Sequence, residues 1–344
     1  MSSEKPTTTA KLLLLGAGEL GNAILTHLSA LPSIRITLGI RSPSNYTYLT
    51  ASHPSLTLLP IDLSGPSASL SETFANFDII VSATGFGADP TTIVKLAQEV
   101  LRAGSIKKAK GESDLWYFPW QWGVDYDITG DGQGLMPLFG TQRDVRNLLR
   151  EQGEESNVTW TVVSTGIFMS FLFEPFWGIV DRTHEKEGKL VVRCLRDWDH
   201  RVTITDVDDI GRVLARIVNE DVEAKRRVLY IAGDTLSYGQ LAEIVERVSG
   251  REVEREEWTI SHLVDELKAD SDNDIKKYRL VFAREGVWWS KEETVNHKLG
   301  GYLPGGPPGG PPGGMPMPPG GGKGIPPGGE PALPGGGKGN GGIP

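Results

Sequence analysis

The chain has 344 residues, a formal net charge of −9 and 38% hydrophobic side chains, enough apolar surface for one large or two medium domains. An acidic chain without a long basic run suits a nucleic-acid backbone poorly, because that contact needs clustered Lys and Arg. No nucleic acid is therefore expected, and a small ligand is. Cys194 is the only cysteine, so an internal disulfide is ruled out and a cytoplasmic location is expected.

The first ten residues, MSSEKPTTTA, are polar and expected to be disordered, with no apolar h-region. The first apolar run, 12–15, is far shorter than the roughly 18 residues of a membrane helix, so no membrane association is expected. From residue 11 onward, short apolar runs alternate with amphipathic ones, the signature of βαβ units. Strands are predicted at 12–15, 34–40, 56–60, 78–83, 115–118 and 158–164, with helices at 19–31, 67–74, 90–103 and 137–152. The predicted fold class is α/β, a Rossmann-type doubly wound parallel sheet over residues 11–165 that binds its ligand beyond the carboxyl ends of its strands. After Thr165 the rhythm changes. Strand candidates at 189–193, 201–205 and 228–232 mix with helices at 207–219 and 238–249, which predicts a smaller α/β substrate lobe over 166–300. Residues 301–344 hold 19 Gly and 13 Pro. Such a tail has few apolar side chains to offset its ordering entropy, and its PPGGPPGG rhythm has the wrong period for collagen. It is expected to be disordered, with docking of its Pro pairs on an aromatic groove as the alternative.

The stretch GAGELG at 16–21 reads G-x-G-x-x-G between the first strand and the first helix. Gly16 serves the tight turn, Gly18 a close approach of backbone to a pyrophosphate, and Gly21 the contact of helix with strand. The helix start at Glu19 and Leu20 turns unpaired N–H groups and a partial positive charge toward the phosphates. At the end of the second strand, where an NAD enzyme places Asp or Glu, this chain has Arg41. Arg41 can grip a 2′-phosphate that a carboxylate would repel, which predicts NADPH. Asp62, after the third strand, either accepts a bond from the adenine amino group or caps its own turn. Ala83, Thr84, Gly85 and Phe86 close the fourth strand with mostly small residues, beside which a ribose and nicotinamide can pass.

These residues, with DIIVSATG at 78–85, YFPWQWGVDYD at 117–127, TWTVVSTGIF at 159–168 and VTITDVDDIGR at 202–212, resemble the NmrA-like, isoflavone-reductase-like branch of the atypical short-chain dehydrogenases. The likeness spans about residues 11–300 and is nearest to fungal members, in the branch that includes aromatic-alcohol and phenylcoumaran benzylic ether reductases. It implies a Rossmann fold, NADPH and reduction of a small aromatic or phenolic metabolite. It also implies two departures. The reductases carry a lysine as general acid or base on the helix after the fifth strand, and Gln142 stands in its place in PLFGTQRDVRNLL. The run KKAKGESD at 107–114 looks like an inserted charged loop. The Tyr-x-x-x-Lys pair of ordinary short-chain dehydrogenases is absent from the sequence.

Gln142 and Tyr126, with Asp125, are the candidate catalytic residues, and exposed loop positions are the alternative for Tyr126 and Asp125. Trp120, Trp122 and Phe168 are candidates to stack on a flat substrate, together with Trp116, Phe171, Phe173, Phe176 and Trp177. Packing between lobes is the alternative for all of them. The six histidines show no ligand spacing, so no metal is expected. The rival to a reductase is a non-catalytic NADP(H)-binding redox sensor. A homodimer and a regulatory protein partner both stay open.

Overall fold

Strand β1 (Ala10–Leu15) contains four consecutive leucines, each no more than 1% exposed. Leu12 and Leu14 join one apolar cluster while Leu13 and Leu15 join another, because side chains alternate along a strand and this sheet is covered on both faces. In the computed structural model, residues 9–85 and 90–299 are described. The readings made for the first eight residues, for Phe86 and for the tail lie outside them.

From β1 the chain runs through α1 (Glu19–Leu28), β2 (Ile34–Ile40), a short α2 (Tyr48–Ser52), β3 (Thr57–Pro60), α3 (Ser67–Phe74) and β4 (Ile79–Ser82). It continues through α4 (Thr91–Ala109), β5 (Leu115–Phe118), α5 (Tyr126–Thr129), α6 (Pro137–Gln152) and β6 (Val158–Ser164). Then come β7 (Ile167–Phe168), β8 (Val180–Asp181), β9 (Val191–Leu195), β10 (Arg201–Thr205), α7 (Val207–Val218) and β11 (Arg227–Tyr230). The last elements are β12 (Asp234–Ser237), α8 (Tyr238–Ser249), β13 (Glu254–Trp258), α9 (Ile260–Ala269), α10 (Asp274–Phe282) and α11 (Val295–Lys298).

Seven parallel strands form the main sheet in the order β3-β2-β1-β4-β5-β6-β11. The order reverses between β1 and β4, so a crevice opens at the carboxyl ends of these strands, beside the glycine loop. Two three-stranded sheets, β12-β10-β7 and β13-β9-β8, build the rest. The predicted Rossmann fold is present, with one strand more than the six read from the sequence. Val228 belongs to β11, which pairs with β6 in the main sheet rather than with the smaller lobe. Helix α7 goes with it: Gly211 packs so tightly on α1 that a Cβ there would stand 2.6 Å from the Ala23 carbonyl oxygen.

The run at 107–114 is also corrected. Helix α4 reaches Ala109, and Lys107 is 2% exposed, donating to the Phe77 carbonyl at 3.1 Å and to Asp78 Oδ1 at 3.2 Å. Cations in a last helical turn meet the negative end of the helix dipole, so the first three residues of the supposed loop, 107–109, are helix.

Candidate functional site

Gly16 follows β1 with φ +97°, and a Cβ there would meet the Ala83 carbonyl oxygen at 2.8 Å. At Gly21 a Cβ would strike the Gly16 carbonyl oxygen at 2.3 Å. These two glycines are required by the fold of the loop itself. Gly18 differs, since a Cβ there would meet nothing within 4 Å. Gly18 is the N-cap of α1 and no side chain caps that helix end, so first-turn N–H groups near Glu19 and Leu20 keep their donor capacity. The loop thus holds an open cradle at the positive end of a helix, the arrangement that accepts a phosphate. The residues present fit a dinucleotide pyrophosphate.

Arg41 is exposed at the carboxyl end of β2. Asp62, just past β3, turns one carboxylate oxygen back on its own loop, accepting from the Ser64 N–H at 3.0 Å and the Ser64 hydroxyl at 2.7 Å. These bonds, with Arg41 nearby, hold the Asp62 carboxyl below its ordinary range. The turn-capping role is therefore formed in the structure. Past β4, Ala83 is buried, Thr84 half-buried and Gly85 exposed. Ser82 above them accepts from Trp122 Nε1 through its carbonyl at 2.8 Å.

The most developed polar feature is one the sequence reading missed. Arg146, on α6, is fully buried. Its Nε donates to Gln121 Oε1 at 2.7 Å, one terminal nitrogen donates to Asp125 Oδ1 at 2.8 Å and Asp127 Oδ2 at 2.9 Å, and the other donates to the Ser164 hydroxyl at 3.1 Å. Tyr230 of β11 completes the cluster by donating to Asp125 Oδ2 at 2.7 Å. Burial, and then the Asp125 carboxylate, push the Tyr230 hydroxyl above its ordinary range. Arg150 beside Asp127 pulls that carboxyl down to about 2. A forked guanidinium with five donors can tie together the ends of β5, β6 and β11 as an ammonium cannot.

Asp125 and Tyr126 are each 4% exposed, so neither is the open loop residue that the sequence allowed. Asp125 caps α5 through the Asp127 N–H. Tyr126 packs edge-on to Phe139 at 5.1 Å with the Arg146 guanidinium 5.3 Å from its ring. Burial raises its hydroxyl well above the ordinary value, leaving it protonated and committed to packing. Gln142 lies one turn before Arg146 on α6 and is fully buried. Its backbone carbonyl accepts from Gln121 Nε2 at 2.8 Å, while neither side-chain amide atom has a hydrogen-bond partner.

The aromatic candidates separate. Trp116 is core, donating to Thr161 Oγ1 at 2.9 Å, and Phe171, Phe176 and Trp177 pack together with Phe282 in the second apolar cluster. Trp122 is 5% exposed and anchored on Ser82. Trp120 and Phe168 are half-buried against the main-sheet cluster. Phe173 is 42% exposed. Ser170, between Phe168 and Phe173, reaches back to Glu19 of the glycine loop at 3.4 Å, so this segment stands over the start of α1. Among the described residues, no three His, Cys, Asp or Glu side chains are grouped to hold a metal, and no helix is long and apolar enough to cross a membrane.

Comparison with known structures finds this architecture again at low identity. AtPrR2, solved with NADP+ and (+)pinoresinol, is 16% identical with a TM-score of 0.65 over 85% of this chain and 95% of its own. An isoflavone reductase is 19% identical with a TM-score of 0.64 over 80% and 87%. The triphenylmethane reductase of Citrobacter sp., solved with NADP(H), is 16% identical with a TM-score of 0.63 over 85% and 96%. A sequence relative from Gibberella moniliformis, described as an NmrA-like family domain-containing oxidoreductase, is 36% identical over 308 residues, covering 86% of this chain and 95% of its own length. The NmrA-like family profile itself matches residues 8–294, nearly everything from the glycine loop to the last described helix. The chain belongs to the NmrA-like family.

Proposed function

We propose that this protein is an NADPH-dependent reductase of a small aromatic or phenolic metabolite. The observation that carries the reading is the open cradle at Gly18, set between Gly16 and Gly21 at an uncapped helix start. In this assignment Gly16 through Gly21 hold the pyrophosphate, Arg41 the 2′-phosphate, and backbone at Ala83, Thr84 and Gly85 passes the ribose and nicotinamide. Bound NADPH supplies the hydride. The chain's own residues then orient the substrate and exclude water. Trp120 and Phe168 offer half-buried ring surface for a flat substrate, and Trp122 is anchored on the Ser82 carbonyl. Gln142 brings an amide with a free donor and a free acceptor to the helix position where the reductases carry their lysine. Within 166–300, the part outside α7 and β11, which includes the sheets β12-β10-β7 and β13-β9-β8, supplies the substrate side. The reductase names and ligands of the structural relatives support the substrate class.

The second reading, an NADP(H)-binding sensor without turnover, is favoured by Gln142 itself, because an amide cannot give and regain a proton at neutral pH. NADPH oxidation measured over a panel of aromatic ketones, aldehydes and benzylic ethers separates the two, beside nucleotide binding followed by fluorescence. Turnover of one class supports the reductase. Micromolar binding with no oxidation across the panel supports the sensor, and failure to bind either nucleotide overturns both.

A further inference from the structure

A groove of about 1000 Å³ runs along β11, with Tyr230, Trp288, Trp289, Val222, Val295 and Lys298 among the residues that line it. β11 is the outermost strand on that side of the main sheet, so among the described residues no further strand pairs with its outer backbone edge. The aromatic walls are held in place. The Tyr230 hydroxyl is fixed on Asp125, Trp289 Nε1 donates to the Ile231 carbonyl at 3.0 Å, and the two rings lie 5.1 Å apart at 57°. Trp288 is steadied by the Arg201 guanidinium, 5.5 Å from its ring. Rigid aromatic ridges separated by apolar clefts are what polyproline II segments dock on.

We infer that the groove is the docking site of this chain's own segment 303–319, LPGGPPGGPPGGMPMPP. Three observations commit the groove to that occupant. The last described residue, Leu299, directly follows Lys298, which lines the groove, so the segment begins beside its site. The segment contains eight prolines and no charged residue, which suits the apolar part of the wall, Trp288, Trp289 and the valines, between the charged Asp125, Glu223, Arg227, Glu293 and Lys298. Proline brings no N–H to bury, and its carbonyls can accept from outward amides of an edge strand. The geometry also matches, since four residues of polyproline II span about 12 Å at about 3.1 Å each, close to the length of a four-residue strand such as β11 at about 3.3 Å each. Tethering supplies an effective concentration on the order of millimolar, so a contact too weak for a free peptide suffices within the chain.

The test uses the full chain carrying Glu293→Cys on the groove rim and Gly310→Cys in the segment, cross-linked with a short bis-maleimide. Cys194 is fully buried and does not compete. Intrachain cross-linking is expected to fall at least tenfold when Pro307, Pro308, Pro311 and Pro312 are all changed to Ser, a change that keeps the tether length, and also when an excess of the synthetic 303–319 peptide is added. Equal yields with and without the prolines overturn the inference, as do products of dimer size, which would show a second copy in the groove. If Glu293→Cys does not fold, Glu223→Cys, which also lines the groove, carries the same measurement.

Discussion

Arg146 donates to Asp125 Oδ1 at 2.8 Å while both residues are buried, which joins α6 to the loop after β5. Removing one member of a buried pair leaves the other charge unmatched, at about 3–5 kcal/mol. Arg146→Met is expected to lower unfolding free energy by about that amount in urea titration. Arg146→Lys, which keeps the charge but loses the fork, should recover less than half of it. A loss below about 1 kcal/mol for Arg146→Met would show that the network is ornamental.

The glycine loop separates folding from binding. Gly21→Ala forces a Cβ to 2.3 Å from the Gly16 carbonyl oxygen and should lower the melting temperature by several degrees. Gly18→Ala adds its methyl to open space, so its melting temperature should match that of the parent, while its affinity for NADPH falls by about tenfold or more because backbone and phosphate are held apart. Thermal scans with and without nucleotide distinguish the two.

Arg41 is predicted to choose the cofactor. A charge-assisted bond of about 1.5–3 kcal/mol corresponds to a preference of about 10- to 150-fold. Arg41→Glu should erase the ratio of NADH to NADPH dissociation constants by that factor. An unchanged ratio would move the selection elsewhere.

Gln142 carries the sharpest division between stability and function. Its buried amide has no partner, so Gln142→Leu should stabilise the nucleotide-free protein by about 1 kcal/mol or leave it unchanged. The same variant should lose turnover on whatever substrate the panel identifies. Destabilisation by Gln142→Leu would mean that the amide is needed to hold the fold rather than a ligand.

Acid should unfold the protein partly through Asp127. Its carboxyl is lowered from an ordinary 3.8 to about 2, chiefly by Arg150. Stability from this group is therefore fully present above about pH 4 and is lost as pH falls toward 2. Asp127→Asn should flatten the pH dependence of unfolding free energy in that window, which equilibrium denaturation at a series of acidic pH values will read.

Much of the main sheet was legible because its signals are local. The bounds of α3, α6, β2, β5 and β6 follow from apolar periodicity, and the glycine loop from its spacing. Which sheet a strand joins is not local: 228–232 read as a strand, but nothing in those residues says that β6 is its neighbour. The Arg146 cluster was missed for the same reason, since Tyr230 and Asp125 meet across 105 positions. A signal was present in α6, where Arg146 falls on the buried stripe of Phe139, Gln142 and Leu149. A charged side chain at an apolar helical position needs buried partners, and the two aspartates flanking Tyr126 were the partners to seek. The aromatic run 167–178 was ambiguous, because ring spacing alone does not separate a core from a cleft.

The return of the chain to the main sheet sets an order of events in synthesis. β6 ends at Ser164, yet its outer neighbour β11 ends at Tyr230 and α7, which covers α1, lies between them. At about 5–20 residues per second the ribosome needs roughly 3 to 13 s to supply that interval. During it, the edge of β6 and the apolar face of α1 stand uncovered, so the nascent glycine-loop half is the stage at which this protein has most need of a chaperone.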